Sequence, residues 1–160
     1  MRYSIIYADP PWKVMAGSKQ SRKNGDSQKS LPLPYPTMSL DEIISMPIKE
    51  IREKDSVLFL WTINAYLEQS YQVARAWGFN PSTMLVWNKT PKGMGLGGTF
   101  TLATEYLLFA RSGTMKANKR IKGNWWHLPR ESHSKKPAIF RSMIVDLFGD
   151  LPRIELFART

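Results

Sequence analysis

The chain of 160 residues contains no cysteine and only two histidines, His127 and His133. Without thiols there is no disulfide framework, thiol nucleophile, zinc ribbon or iron–sulfur cluster, and two histidines do not build a histidine-rich metal site. Asp9, Asp26 and Asp41 are too scattered to form a carboxylate cluster, so no metal is expected. No run approaches the ~20 apolar residues of a membrane span, and MRYSIIYADPPW lacks the pattern of a signal peptide. A cytoplasmic chain with no membrane partner is the expectation. The chain does have the makings of a core. Hydrophobic residues are 42% and aromatics 12%, too many for wholesale disorder, and the length suits one domain over residues 1–160.

The formal charge of +10 is unevenly spread. Residues 111–136 carry Arg111, Lys116, Lys119, Arg120, Lys122, Arg130, Lys135 and Lys136 against Glu131 alone, and residues 1–37 are also basic. Such segments can release counterions from a phosphate backbone, although a solvated basic surface that keeps the protein soluble has the same composition.

Arg2 to Ala8 is a short β-prone run that stops at Asp9-Pro10-Pro11-Trp12, because two prolines end any ladder. Residues 13–36 are polar, basic and rich in Gly, Ser and Pro. The expectation there is a loop that orders over the ligands, with a stiff exit at Pro32, Pro34 and Pro36. Ser39 to Glu42 is a capping box opening a short helix with Ile43, Ile44 and Met46. Ser56–Thr62, Thr83–Trp87, Tyr106–Ala110 and Arg153–Phe157 read as strands. Leu67, Tyr71, Ala74 and Trp77 recur at helical spacing before Gly78, as do Phe140, Met143, Ile144, Leu147 and Phe148 before Gly149. Strands alternating with helices predict an α/β domain, a mostly parallel twisted sheet flanked by helices.

In an open α/β sheet, ligands bind beyond the carboxyl ends of the strands, and that is where Asp9 falls. A primary amine on a flat heterocycle, poised to attack a methyl group, needs acceptors for its two N–H bonds. Accepting both turns the nitrogen lone pair out of the ring plane. Asp9 offers a carboxylate, Pro10 a carbonyl on a turn stiffened by Pro11, and Trp12 a face for stacking. A Pro-Pro turn with a capping Asp and a surface Trp is the plain alternative.

Asp9-Pro10-Pro11-Trp12 resembles the catalytic motif of S-adenosylmethionine-dependent amino-methyltransferases. The remaining pieces are similar, in order, to the family of the eukaryotic messenger-RNA adenosine methyltransferase and its bacterial and phage DNA-adenine relatives. They are Pro34-Tyr35-Pro36-Thr37-Met38-Ser39, the strand 57–62, Ala76 to Phe79, and Trp87-Asn88-Lys89-Thr90. Glu105 with residues 106–113, His133-Ser134-Lys135-Lys136-Pro137, and Arg153 to Arg159 complete the set. The resemblance spans nearly the whole chain. It implies a single Rossmann-like methyltransferase domain in circularly permuted motif order, with the catalytic strand first. It further implies S-adenosyl-L-methionine as cofactor, held by Ala8, Asp9, Ser134, Lys136, Glu155, Leu156, Phe157 and Arg159. Glu155 would accept the ribose hydroxyls and Lys136 would meet the cofactor carboxylate. Tyr35 and Lys89 would line the base pocket, and Lys116, Lys119, Arg120 and Lys122 would touch phosphates. Family members continue past this arginine into a polar stretch, whereas the sequence stops at Thr160; a weaker cofactor grip is the expectation.

The resulting expectation is methyl transfer to N6 of adenine in nucleic acid, DNA before RNA, by a site-specific enzyme with a flipped base. A catalytically impaired nucleic-acid-binding subunit and an RNA adenosine methyltransferase are the alternatives, and either a homodimer or a partner subunit is compatible. Gly93 to Gly98 has the wrong context for a dinucleotide fingerprint and reads as a substrate-side loop. His133 and Ser134 lack a hydrolase triad. Trp125 and Trp126 fit either base stacking or the core.

Overall fold

The computed structural model describes residues 1–14, 36–90, 98–132 and 135–158. Residues 15–35 of the expected ligand-closing loop, Tyr35 among them, and Gly93–Gly97, Ser134 and Arg159 therefore lie outside the described residues. Six strands form one sheet: β1 (Tyr3–Ala8), β2 (Arg52–Thr62), β3 (Asn80–Asn88), β4 (Thr104–Ser112), β5 (Trp125–His127) and β6 (Arg153–Leu156). Their order is β5-β3-β4-β2-β1-β6. β4 runs antiparallel to both neighbours, and the remaining pairings are parallel. The sheet is mostly parallel, as the strand–helix alternation predicts.

Alternation along the strands sends side chains to two faces. Ile6, Ala8, Leu58, Leu60 and Leu108 face α1 (Leu40–Ile44), α2 (Ile48–Ile51) and α3 (Leu67–Ala76). Ile5, Tyr7, Val57, Phe59, Trp61 and Leu107 face α4 (Ile139–Phe148) and the segment carrying Met115, Ile121 and Leu128. The caps are those the sequence announces. Ser39 Oγ accepts the Glu42 N–H over 3.2 Å, and Gly78 follows α3 with φ of 85°, a conformation that glycine adopts without penalty. Among the described residues no helix is long and apolar enough to cross a membrane.

Several elements depart from expectation: β3 and β4 run longer than Thr83–Trp87 and Tyr106–Ala110, and β6 stops at Leu156, one residue before Phe157. β2 begins at Arg52 rather than Ser56, its first residues charged and largely solvent-facing. α2 is an extra turn after Pro47. β5 is a strand that its basic context concealed: Val86 pairs with Trp125 and Asn88 with His127. It divides the tryptophan pair between the two readings. Trp125 is 65% exposed, while Trp126 packs edge-on against Phe140 at 5.3 Å.

Candidate active site

One edge of the sheet gathers the carboxyl ends of β1, β2, β3, β5 and β6. Because β4 runs the other way, its first residues reach the same edge, with Glu105 opposite Trp87. Asp9 follows β1 directly, and its backbone N–H donates to the Leu156 carbonyl at the end of β6 over 3.2 Å. Ala8 is a buried rung opposite Leu156 and Leu60. The turn after Asp9 is held at both prolines. Trp12 N–H donates to Pro10 O over 2.9 Å, a three-residue turn suited to the fixed φ of Pro11. Met38 N–H donates to Pro11 O over 3.0 Å. A carbonyl oxygen has two lone pairs, so Pro10 O keeps one for a further donor.

Trp12 differs from the open stacking platform that the sequence suggested. It is 5% exposed, its indole N–H donates to Trp61 O over 3.0 Å, and its ring stacks on Tyr66 at 5.0 Å and 20°. With its ring covered and its donor used, Trp12 is a clamp that fixes the Pro-Pro turn to β2.

An ion network crosses the site. Lys136 Nζ lies 2.8 Å from Glu105 Oε1 and 3.7 Å from Asp9 Oδ2, while Lys89 Nζ lies 3.3 Å from Glu105 Oε2. Both ammoniums also sit over indole rings, Lys136 above Trp61 at 5.1 Å and Lys89 above Trp87 at 5.9 Å. Burial alone would raise the Glu105 carboxyl, but the two lysines outweigh it and hold its pKa below the ordinary 4.5. Lys136 thus meets carboxylates of its own chain. Lys89 stands beside Asn88, whose Oδ1 accepts from Thr90.

A cleft beside Asp9 is lined by Tyr7, Trp61, Lys135, Lys136, Arg141, Glu155, Phe157 and Ala158. Glu155 projects from β6 with both carboxylate oxygens engaged: Arg141 Nε donates to Oε2 over 2.9 Å and Nη2 to Oε1 over 2.5 Å. This bond raises the Arg141 pKa above its ordinary value. Tyr7 lies beneath, buried, its hydroxyl accepting the Trp61 indole N–H over 2.7 Å. Burial pushes the phenol pKa far up, so Tyr7 stays neutral. Phe157 turns the chain with φ of 62°, a strained value for a residue with a Cβ and the only such non-glycine angle among the described residues.

The four candidate phosphate-binding residues do not join this site. Glu105 and Arg111 stand at opposite ends of β4, about 20 Å apart at strand rise. Lys116, Lys119 and Arg120 follow Arg111, and Lys119 lies 3.7 Å from Asp146 near the far end of α4. Lys122 is on the return path, just before Asn124, whose carbonyl accepts the Val86 N–H two residues before the end of β3. All four are exposed.

Sequence reasoning missed three contributors: Tyr7, Trp61 and Arg141. Each looks like an ordinary element residue. The only hint was that Arg141 interrupts the apolar run of α4.

A family model described as MT-A70 matches residues 3–160. The chain belongs to the MT-A70 family. The MT-A70 chain is 30% identical to the Type II methyltransferase M.MunI of Mycoplasma sp over 172 residues, covering 99% of itself and 72% of that relative. It is 23% identical to a putative N(6)-adenosine-methyltransferase MT-A70-like protein of Medicago truncatula, covering 24% of it. Over 57% of its length it is 33% identical to the N6-adenosine-methyltransferase non-catalytic subunit MTB of Arabidopsis thaliana, covering 11% of that protein.

Proposed function

We propose that this MT-A70 domain is a site-specific methyltransferase that transfers a methyl group from S-adenosylmethionine to N6 of adenine in DNA. The observation that carries the proposal is the placement of Asp9. A carboxylate at the end of β1 stands next to a carbonyl, Pro10 O, with an uncommitted lone pair. Together they accept the two N–H bonds of an exocyclic amine and turn its lone pair out of the ring plane. Lys136 pairs with the Asp9 carboxylate at 3.7 Å. The Trp12 clamp and the Met38 bond keep the acceptors from drifting.

The cleft suits a zwitterionic nucleoside, because it sets a carboxylate, ammonium groups and an aromatic ring around one concavity. Glu155 would take the ribose diol, Phe157 the adenine ring, and Lys136 the amino-acid carboxylate; Ser134 and Arg159 belong to the same proposed set. When bound, S-adenosylmethionine supplies a methyl group activated by a positively charged sulfur. Lys89 and Tyr35 would flank the target base. The basic residues Lys116, Lys119, Arg120 and Lys122 would hold the phosphate backbone outside the catalytic cleft, reaching it only on a long substrate. DNA is chosen over RNA because the relative matched over most of its length is named a Type II methyltransferase. A cytoplasmic setting and nucleic acid as the partner accord with this reading.

The test is incubation of purified protein with labelled cofactor and matched DNA or RNA oligonucleotides, followed by nucleoside analysis. N6-methyl-2′-deoxyadenosine from the wild type and none from D9A is the expected result. Binding of nucleic acid with no product from either substrate would make the chain a non-catalytic subunit instead.

A further inference from the structure

Arg141 closes over Glu155 in a way that bears on more than cofactor binding. The two guanidinium donors lie side by side on the two carboxylate oxygens, at 2.9 and 2.5 Å. A vicinal diol offers two donors with much the same spacing and seeks the same face of the carboxylate. Arginine fork and ribose therefore compete for Glu155. The pair is open to exchange: its side chains are 46% and 33% exposed, so a ligand can reach both partners. What does not leave is the guanidinium itself. It stays tethered to α4 above the Tyr7 ring, its carbon 5.7 Å from the ring centroid, on the rim that also carries Lys135 and Lys136. Before exchange, its charge is cancelled by Glu155. After exchange, a cation without its carboxylate remains on the wall of the cleft that also holds Asp9.

We infer that Arg141 couples the two substrates: it caps Glu155 until a ribose diol replaces it, and then contacts the nucleic-acid phosphate. The inference rests on the proposal that Glu155 holds the cofactor ribose. Cofactor then recruits nucleic acid, and by reciprocity nucleic acid tightens cofactor binding by the same factor. The arrangement also favours an order of events, because the phosphate contact forms only once the methyl donor is seated.

The experiment measures duplex DNA affinity against salt concentration, with and without saturating S-adenosylhomocysteine. Each phosphate that meets a cation adds about 0.9 to the log–log slope. The wild type is expected to gain about that much on adding the nucleoside, together with a several-fold rise in affinity at low salt. R141Q is expected to melt close to the wild type and to show equal slopes in both states. E155Q, measured without the nucleoside, should already show the steeper slope, because its arginine is released from the start. An unchanged wild-type slope despite measured S-adenosylhomocysteine binding overturns the coupling and leaves the cofactor proposal standing. So does a slope gain that persists in R141Q. Failure of the wild type to bind S-adenosylhomocysteine at all overturns both.

Discussion

The indole N–H of Trp12 donates to the backbone carbonyl of Trp61 over 3.0 Å, joining the turn after β1 to the end of β2. Trp61 in turn donates to Tyr7 and lies under the Lys136 ammonium, so one residue anchors the turn, the cleft floor and the ion network. W12A should lower stability by about 3–5 kcal/mol, as for a buried aromatic. W12F should lose about 1–3 kcal/mol, because the Trp61 carbonyl is left without its donor. Chemical denaturation of the three proteins checks this. A W12A protein as stable as the wild type would return Trp12 to the role of a surface platform.

Removing the Asp9 carboxylate should separate chemistry from folding. Asp9 follows the end of β1 and meets Lys136 through its carboxylate, so D9A should melt somewhat below the wild type yet remain folded. Methyl transfer should fall below detection while S-adenosylhomocysteine still binds. The checks are a thermal melt, calorimetric titration and a nucleoside assay on one preparation. Appreciable turnover by D9A would remove the amine-orienting mechanism.

Glu105 makes stability depend on acid. Its pKa is lower in the folded chain than the ordinary 4.5, so the ion network contributes fully above about pH 4.5. That contribution is lost as the pH falls through the lower folded value. E105Q leaves Lys89 and Lys136 without their shared carboxylate. It should therefore be less stable than the wild type at pH 7, with the two curves converging below pH 4. Urea melts from pH 7 to pH 3 would show it, and a constant gap at all pH values would contradict the assignment.

Neutralising Lys116, Lys119, Arg120 and Lys122 together should weaken binding to every DNA sequence alike. It should also flatten the salt dependence by about 0.9 for each phosphate no longer neutralised. Lys119 is expected to contribute least of the four, because Asp146 already neutralises it. Turnover of a short oligonucleotide that spans only the Asp9 cleft should be spared, given the position of these residues at and toward the opposite edge. An unchanged slope would make the patch a solubility feature.

Much of the layout was legible because its signals are local. Asp9 could be placed at a strand end from the apolar run before it and the two prolines after it, and both long helices show their apolar stripe and closing glycine. Signals that need a partner from elsewhere were not legible. β5 has only three residues in a basic context and exists because β3 offers it an edge. The burial of Trp12 depends on Tyr66 and Trp61. The ion network joins residues from the β1 turn, the end of β3, the start of β4 and the approach to α4, and no spacing in the sequence reports that meeting. Arg141 is one of three polar residues in a largely apolar helix, and nothing marks it out until β6 brings Glu155 to it.

The pairing of β1 with β6 sets Ile5 against Arg153 and Ala8 against Leu156. Asp9 thus leaves a ribosome well before the strand that completes its surroundings. Until residues 153–156 have been synthesised, β1 lacks one neighbour, Arg141 has no carboxylate to meet, and the cleft has no second wall. Pairing over so long a separation is slow to form. A growing chain can therefore bury its β2–β4 core early while the cleft beside Asp9 is still incomplete. Stalled or clipped chains ending before β6 would carry the Asp-Pro-Pro-Trp turn without the Leu156 carbonyl that holds Asp9 and without the Glu155 wall of its cleft.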